Sequence, residues 1–234
     1  MRKIEAGITD IFSSVQGEGI FVGAKQIFVR FEKCNMACSF CDEQKNVKPR
    51  MYTPAALMAA IGSLEGTKGF CHSVSLTGGE PLLHVEFLNA FLPLLHKKGM
   101  KVYLETNGTL PEALAKVIKQ VDIVSMDFKL PSSTGCRAYW NEHYKFLKIA
   151  CRKNVFVKVV VTPTTTDAEI KKASDLVRKV GKNIPFILQP VTPVKRGDKV
   201  IPSEKLLKFL EIGLKNDLAH IRVIPQVHKM LNLK

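Results

Sequence analysis

The 234-residue chain is 46% hydrophobic and carries 35 Lys and Arg against 21 Asp and Glu, a formal net charge of +14. No run of 18 or more apolar residues occurs, which excludes a spanning helix; Met1-Arg2-Lys3 without a following apolar stretch predicts no secretory leader and a cytoplasmic protein. The cations are scattered over predicted helix faces (Lys116, Lys119, Lys171, Lys172, Lys205) and not interleaved with aromatics, which argues against a nucleic-acid platform. A basic field also suits an anionic substrate or an acidic electron-donor protein. The six cysteines read as thiols or metal ligands in such a compartment.

Residues 4–12 alternate weakly and predict an antiparallel edge strand, and residues 13–19, with two glycines in three positions, a loop. Residues 26–31 read as the first inner strand. Cys34, Cys38 and Cys41 follow it at C-x3-C-x2-C, ahead of a polar loop over 42–52. Thr53-Pro54 predicts an N-cap with proline at the first position of a helix over 55–61. A strand over 73–76 ends at Thr77-Gly78-Gly79-Glu80-Pro81, and a helix over 84–98 follows. Next come a strand over 101–105, a helix over 111–119, a strand over 122–128, a loop over 131–137 and a helix over 139–151. The β-branched run 155–161 predicts a buried strand. Residues 167–180 predict a helix with Asp167 as cap and Gly181 as stop. A strand over 186–189, a proline-bearing loop over 190–202, a helix over 203–214 and a last strand over 220–224 complete the pattern.

Such alternation predicts parallel strands with helical crossovers and leaves an open doubly wound sheet and a barrel both standing. The glycines follow the second strand, where a dinucleotide fold carries G-x-G-x-x-G after the first. No repeat or low-complexity stretch divides the chain, so residues 1–234 read as one domain.

Thiolates are the ligands of iron–sulfur clusters, and three from one loop can hold three corners of a [4Fe-4S] cube and leave the fourth iron open. A closed zinc site needs a fourth ligand, which only a distant residue such as Cys71 or His72 would supply. Gly78 and Gly79 let backbone approach a ligand, and Glu80 can accept from an ammonium; a Glu at a helix N-terminus is also favoured on dipole grounds alone. Arg30 is a cation inside the otherwise apolar Ile27-Phe28-Val29-Arg30-Phe31 and suits a carboxylate, which a guanidinium meets with two hydrogen bonds. Cys71, Cys136 and Cys151 show no second-cluster spacing and read as free thiols. His72, His84, His96 and His143 read as structural, and Trp140 as a packing anchor.

The cysteine spacing resembles that of radical S-adenosylmethionine (SAM) enzymes, in which SAM chelates the open iron. Phe12-Ser13-Ser14-Val15-Gln16-Gly17-Glu18-Gly19, followed by Phe28-Val29-Arg30-Phe31, narrows the likeness to the 7-carboxy-7-deazaguanine synthase family of the queuosine pathway, from Ile11 to Lys234. The resemblance implies an α/β fold: a partial (β/α)6 barrel with an N-terminal edge strand and a short C-terminal extension, its site at the C-terminal strand ends. It implies a [4Fe-4S] cluster on Cys34, Cys38 and Cys41. It places SAM at Phe40, Cys41 and Asp42, at Gly78, Gly79 and Glu80, at Ser125, Met126 and Asp127, and at Gln189, Pro190, Val191 and Thr192. The implied activity is a carbon–nitrogen lyase that uses a 5′-deoxyadenosyl radical to convert 6-carboxy-5,6,7,8-tetrahydropterin to 7-carboxy-7-deazaguanine, with loss of ammonia. The pterin falls to Val15, Gln16, Gly17, Arg30 and Thr77.

Two positions depart from the family. It carries Ser or Thr, holding magnesium, after its Cys-Asp pair; Glu43 stands there in this chain and becomes the expected Mg2+ ligand. Its tails end in proline after Gln-x-His-Lys, with the terminal carboxylate on the substrate; here Gln226-Val227-His228-Lys229 is followed by Lys234 at that end, which takes the contact. The resemblance further implies a homodimer and a flavodoxin-type donor; the charge pattern and the lack of a long apolar run predict no direct nucleic-acid or membrane partner. A radical SAM activase that abstracts hydrogen from a partner's glycine shares the cysteines and Gly78-Gly79-Glu80, but does not call for the Gln16-to-Arg30 register. A basic nucleic-acid-binding protein with a structural metal is the third reading.

Overall fold

The computed structural model describes residues 3–41, 47–65, 71–193 and 199–233. Strand β1 (Ala6–Val15) runs antiparallel to β2 (Lys25–Phe31), with Ser13 opposite Ile27 and Val15 opposite Lys25. It therefore extends into the stretch expected as loop, because a short 3-10 turn at Gly19–Phe21 suffices for the reversal. The polar loop after the cysteines ends in a further strand, β3 (Arg50–Tyr52), which pairs with Ala6 to Ile8. That pairing satisfies the outer backbone of β1 and makes β3 the edge.

The crossovers follow the predicted alternation: α1 (Pro54–Leu64), β4 (Ser73–Gly78), α2 (Val85–Lys97), β5 (Val102–Thr106), α3 (Pro111–Val117), β6 (Ile123–Asp127), α4 (Pro131–Thr134) and α5 (Trp140–Ala150). After them come β7 (Asn154–Val161), α6 (Asp167–Val180), β8 (Phe186–Pro190), α7 (Ser203–Lys215), β9 (Ile221–Val223) and α8 (Val227–Met230). Thr53 Oγ1 caps α1, accepting from Ala56 N at 3.2 Å. At α6 the cap is Thr166 and not Asp167: Thr166 Oγ1 accepts from Glu169 N, and Glu169 Oε2 accepts from Thr166 N. This capping box leaves Asp167 in the first turn, where the helix dipole favours it. The one-turn α4 replaces an expected loop and stops at Gly135, whose φ of 72° only glycine adopts cheaply.

The sheet order is β3-β1-β2-β4-β5-β6-β7-β8-β9, parallel from β2 onward. This is the expected α/β architecture, a partial barrel with β1 antiparallel on its N-terminal side. Strand alternation assigns the two faces. Ile27, Val29 and Phe31 of β2, with Val74 and Leu76 of β4, pack under the helices. On the inner face Tyr103, Ile123, Phe156 and Ile187, with Ile20 and Phe21, plug the end where the strands begin. Two residues further along the same strands stand Glu105, Ser125, Lys158 and Gln189, all on the wall of one cavity. Apolar floor and polar chamber are thus consecutive layers of one period-two pattern.

Candidate active site

The chamber opens at the C-terminal strand ends, with a volume of about 1160 Å³, and Cys34, Cys38 and Cys41 lie on its wall. The cysteine loop is strapped to its surroundings by backbone contacts. Ser39 N and Ser39 Oγ donate to the carbonyls of Thr134 and Ser133 at 2.9 and 2.7 Å. Gly79 N donates to Phe31 O, and Glu80 N to Lys33 O. A Cβ at Gly79 would sit 1.7 Å from Lys33 O, so only glycine lets this turn lie against the loop's first residues. The close approach here is chain to chain.

The carboxylate of Glu80 does not reach the chamber. It is fully buried beneath the turn, accepting from Leu82 N at 3.0 Å and Asn107 N at 2.8 Å, with Thr106 Oγ1 at 2.9 Å. Burial pushes its carboxyl up to about 7, against these hydrogen bonds and the charge of Lys129. The folded state therefore holds a proton that the unfolded chain releases near 4.5. Stability is fully present below that pH and declines as pH rises through about 7. A Glu80→Gln variant has no such titration, so its denaturation free energy varies less between pH 5 and 8 than the wild type's; equal slopes would count against this.

The opposite wall begins with Gln16. Its Oε1 accepts from Glu18 N, which turns Nε2 toward Gln26 Oε1 and Glu105 Oε1, each at 3.0 Å. Both amide hydrogens are thus engaged within the protein, and Glu105 is held further by Ser75 Oγ at 2.8 Å and Thr77 Oγ1 at 3.3 Å. The Arg30 guanidinium rests over Phe12, 5.8 Å from the ring centroid, and Phe12 stacks on Phe28. The C-terminal segment covers this wall: Val227 N donates to Gly17 O, and Gln226 Nε2 to Glu18 Oε1 at 2.7 Å. A Cβ at Gly17 would meet the His228 ring at 2.1 Å.

Lys158 joins the two walls. Its buried ammonium pairs with Glu18 and lies 3.8 Å from Asp127 Oδ2, which also accepts from Lys129 Nζ at 2.8 Å. Burial alone would depress Lys158, but Glu18, Asp127 and Glu105 outweigh it and hold the ammonium charged. Burial alone would raise Glu18, yet Lys158, with help from Gln226 and His228, lowers it to about 2. Both members stay ionised throughout the physiological range.

A [4Fe-4S] cluster with SAM fits this donor set. Among the described residues no three His, Cys, Asp or Glu side chains converge as a mononuclear ion requires, whereas a cube spreads its thiolates one to a corner. Asp127 Oδ1 and Gln189 Oε1 are buried acceptors without a hydrogen-bond partner among the described residues, and both residues line the chamber. They suit the ammonium and hydroxyl donors of SAM. Phe40, Gly78, Gly79, Ser125, Val191 and Thr192 also line it, as do Val15, Gln16, Gly17, Arg30 and Thr77. Met126 and Pro190 do not: each falls between two inward neighbours and turns outward by strand alternation. Asp42, Glu43 and Lys234 lie outside the described residues.

Sequence reasoning missed Lys158 and, while counting Glu105 among the strand-end candidates, gave it no role. The signal applied to Arg30, a lone charge in an apolar strand, was present in both strands (Asn154 to Val161, and Val102 to Thr106). It also took Cys136 as isolated, but Cys136 Sγ lies 3.7 Å from Ala37 O, against the cysteine loop.

Comparison with known proteins agrees with this geometry. The family model described as the radical SAM superfamily matches residues 28–177. A 7-carboxy-7-deazaguanine synthase of Geobacter sulfurreducens is 40% identical across 99% of both chains. Its counterpart in Methanothermobacter thermautotrophicus is 34% identical across the whole of both. Among solved structures, QueE from Escherichia coli superposes with a TM-score of 0.66 at 21% identity, over 96% of this chain and 95% of that one.

Proposed function

We infer, for a chain that belongs to the radical SAM superfamily and within it to the 7-carboxy-7-deazaguanine synthase family, that it is the radical SAM lyase forming 7-carboxy-7-deazaguanine from 6-carboxy-5,6,7,8-tetrahydropterin. The observation that carries the reading is one chamber with three cysteines on one side and Arg30, Thr77 and the Gln16-to-Glu18 segment on the other. Relatives that match end to end carry the synthase name, so the glycine-activase reading is not favoured. When bound, the cluster and SAM supply a 5′-deoxyadenosyl radical that removes a hydrogen atom from the substrate.

This chain's residues then divide the remaining work. Cys34, Cys38 and Cys41 hold the cluster, while Asp127 and Gln189 accept from the polar groups of SAM. Arg30, supported on Phe12, forks onto the pterin carboxylate. Glu18 stays an ionised acceptor for pterin N–H groups because Lys158 fixes its charge. Glu43 is the proposed Mg2+ ligand beside the same carboxylate. The basic surface suits an acidic, flavodoxin-type donor, and the enzyme is proposed to act as a cytoplasmic homodimer of single-domain chains. Among the described residues no helix is long and apolar enough to cross a membrane.

Anaerobic turnover of reconstituted protein with SAM, reductant and the carboxytetrahydropterin, read by mass spectrometry, tests the assignment directly. SAM cleavage without the deazaguanine product would overturn it. Arg30→Ala and Arg30→Lys both lower product formation about 10- to 150-fold, the equivalent of losing one charge-assisted contact of about 1.5–3 kcal/mol, because Lys cannot make the fork. Substrate-free SAM cleavage falls much less. Equal loss of both would signal a folding defect instead.

A further inference from the structure

We propose that Asn107 tunes the cluster: its side-chain amide donates a hydrogen bond to Cys34 Sγ and so raises the reduction potential of the iron–sulfur centre. Asn107 Nδ2 lies 3.8 Å from that sulfur and 2.8 Å from Asn35 Oδ1. The amide's direction is fixed by chemistry. Thr109 N, which can only donate, and Thr109 Oγ1 reach Asn107 Oδ1 at 3.1 and 2.6 Å, so the oxygen must face Thr109 and the NH2 must face the cysteine loop. Asn35 is fixed in turn, its Nδ2 donating to Thr109 Oγ1 at 2.9 Å.

The backbone of Asn107 is clamped as well. Its N–H donates to Glu80 Oε2 at 2.8 Å, and its carbonyl lies 3.2 Å from His143 Nε2. Glu80, Thr109 and His143 thereby hold Asn107 so that one N–H meets a cluster ligand. The Glu80 carboxylate reaches Cys34 through Asn107, in addition to the backbone bond from Glu80 N to Lys33 O, although it does not line the chamber.

Reduction adds negative charge that the ligating thiolates share. An N–H donor stabilises the reduced form more than the oxidised one, and hydrogen bonds to sulfur are among the determinants of cluster potential. Removing the donor moves the potential to more negative values. A given electron donor then reduces a smaller fraction of the protein.

The proposal rests on Cys34 holding a cluster corner. The test compares anaerobically reconstituted wild type, Asn107→Leu and Asn107→Asp by iron content and by EPR-monitored redox titration without SAM. Both variants are expected to retain wild-type iron and to titrate at more negative potentials, with Asn107→Asp going further because it adds a charge. A wild-type midpoint in Asn107→Leu with full iron overturns the proposal. Loss of iron from both variants overturns it too, since a donor that only tunes a cluster is not needed to hold it. Failure of the underlying assignment looks different: Cys34→Ala would then keep the wild-type cluster.

Discussion

Reconstituted protein carrying Cys34→Ala, Cys38→Ala or Cys41→Ala holds no intact [4Fe-4S] cluster and cleaves SAM at background rate, whereas Cys71→Ala, Cys136→Ala and Cys151→Ala retain both. Each of the first three thiols lies on the chamber wall and none of the others does. Cys136 is the stringent control, because it sits against the cysteine loop and could replace a missing ligand or substitute for an assigned one. Iron and sulfide analysis with quantification of 5′-deoxyadenosine separates the groups. A cluster lost from any of the second three variants sinks the three-ligand assignment.

Lys158→Met has the largest expected effect on stability. Removing one partner from a buried ion pair leaves an uncompensated charge and costs about 3–5 kcal/mol. For a chain of this size that corresponds to a melting temperature lower by on the order of 10 °C. The pH dependence identifies the cause. In the wild type Glu18 is lowered from 4.5 to about 2, so the pair's contribution is present above about 4.5 and lost only as pH falls through about 2. Without the cation, burial is the dominant influence and the Glu18 carboxyl shifts upward instead. The variant is then most stable in mild acid and loses stability as pH rises, the opposite trend. Adding Glu18→Gln to Lys158→Met removes the buried charge and restores much of the stability. Thermal melts of the three proteins at pH 5 and 8 measure this, and a double variant no better than the single one would refute it.

Much of the architecture is written locally. Apolar runs separated by helical stretches gave parallel strands and crossovers, and three cysteines within one loop gave the cluster site without reference to anything distant. Contacts made across the barrel are written differently. Lys158 and Glu105 face inward by alternation along their own strands, but the partner of each comes from another strand or from the Gln16-to-Glu18 segment. Glu80 shows the reverse case, in which the sequence put a carboxylate at the right turn and its direction depended on donors at 106 and 107. The strand at Arg50–Tyr52 was equally hidden, since three residues carry too little periodicity to announce a strand.

The bond from Gln226 to Glu18 spans 208 residues, and the pair of Lys158 with Glu18 spans 140. Chain closure over such distances is slow, because the entropy of long loops must be overcome before the contact forms. The three cluster cysteines, by contrast, fall within eight positions of one another. The two walls of the chamber therefore mature at different times during synthesis. The metal-binding loop has its ligands together once residue 41 has emerged, while Glu18 waits for β7 and then for the segment that covers it. A nascent chain that ends before residue 154 carries all three cluster thiols but leaves Glu18 without Lys158, its counter-ion in the folded chamber.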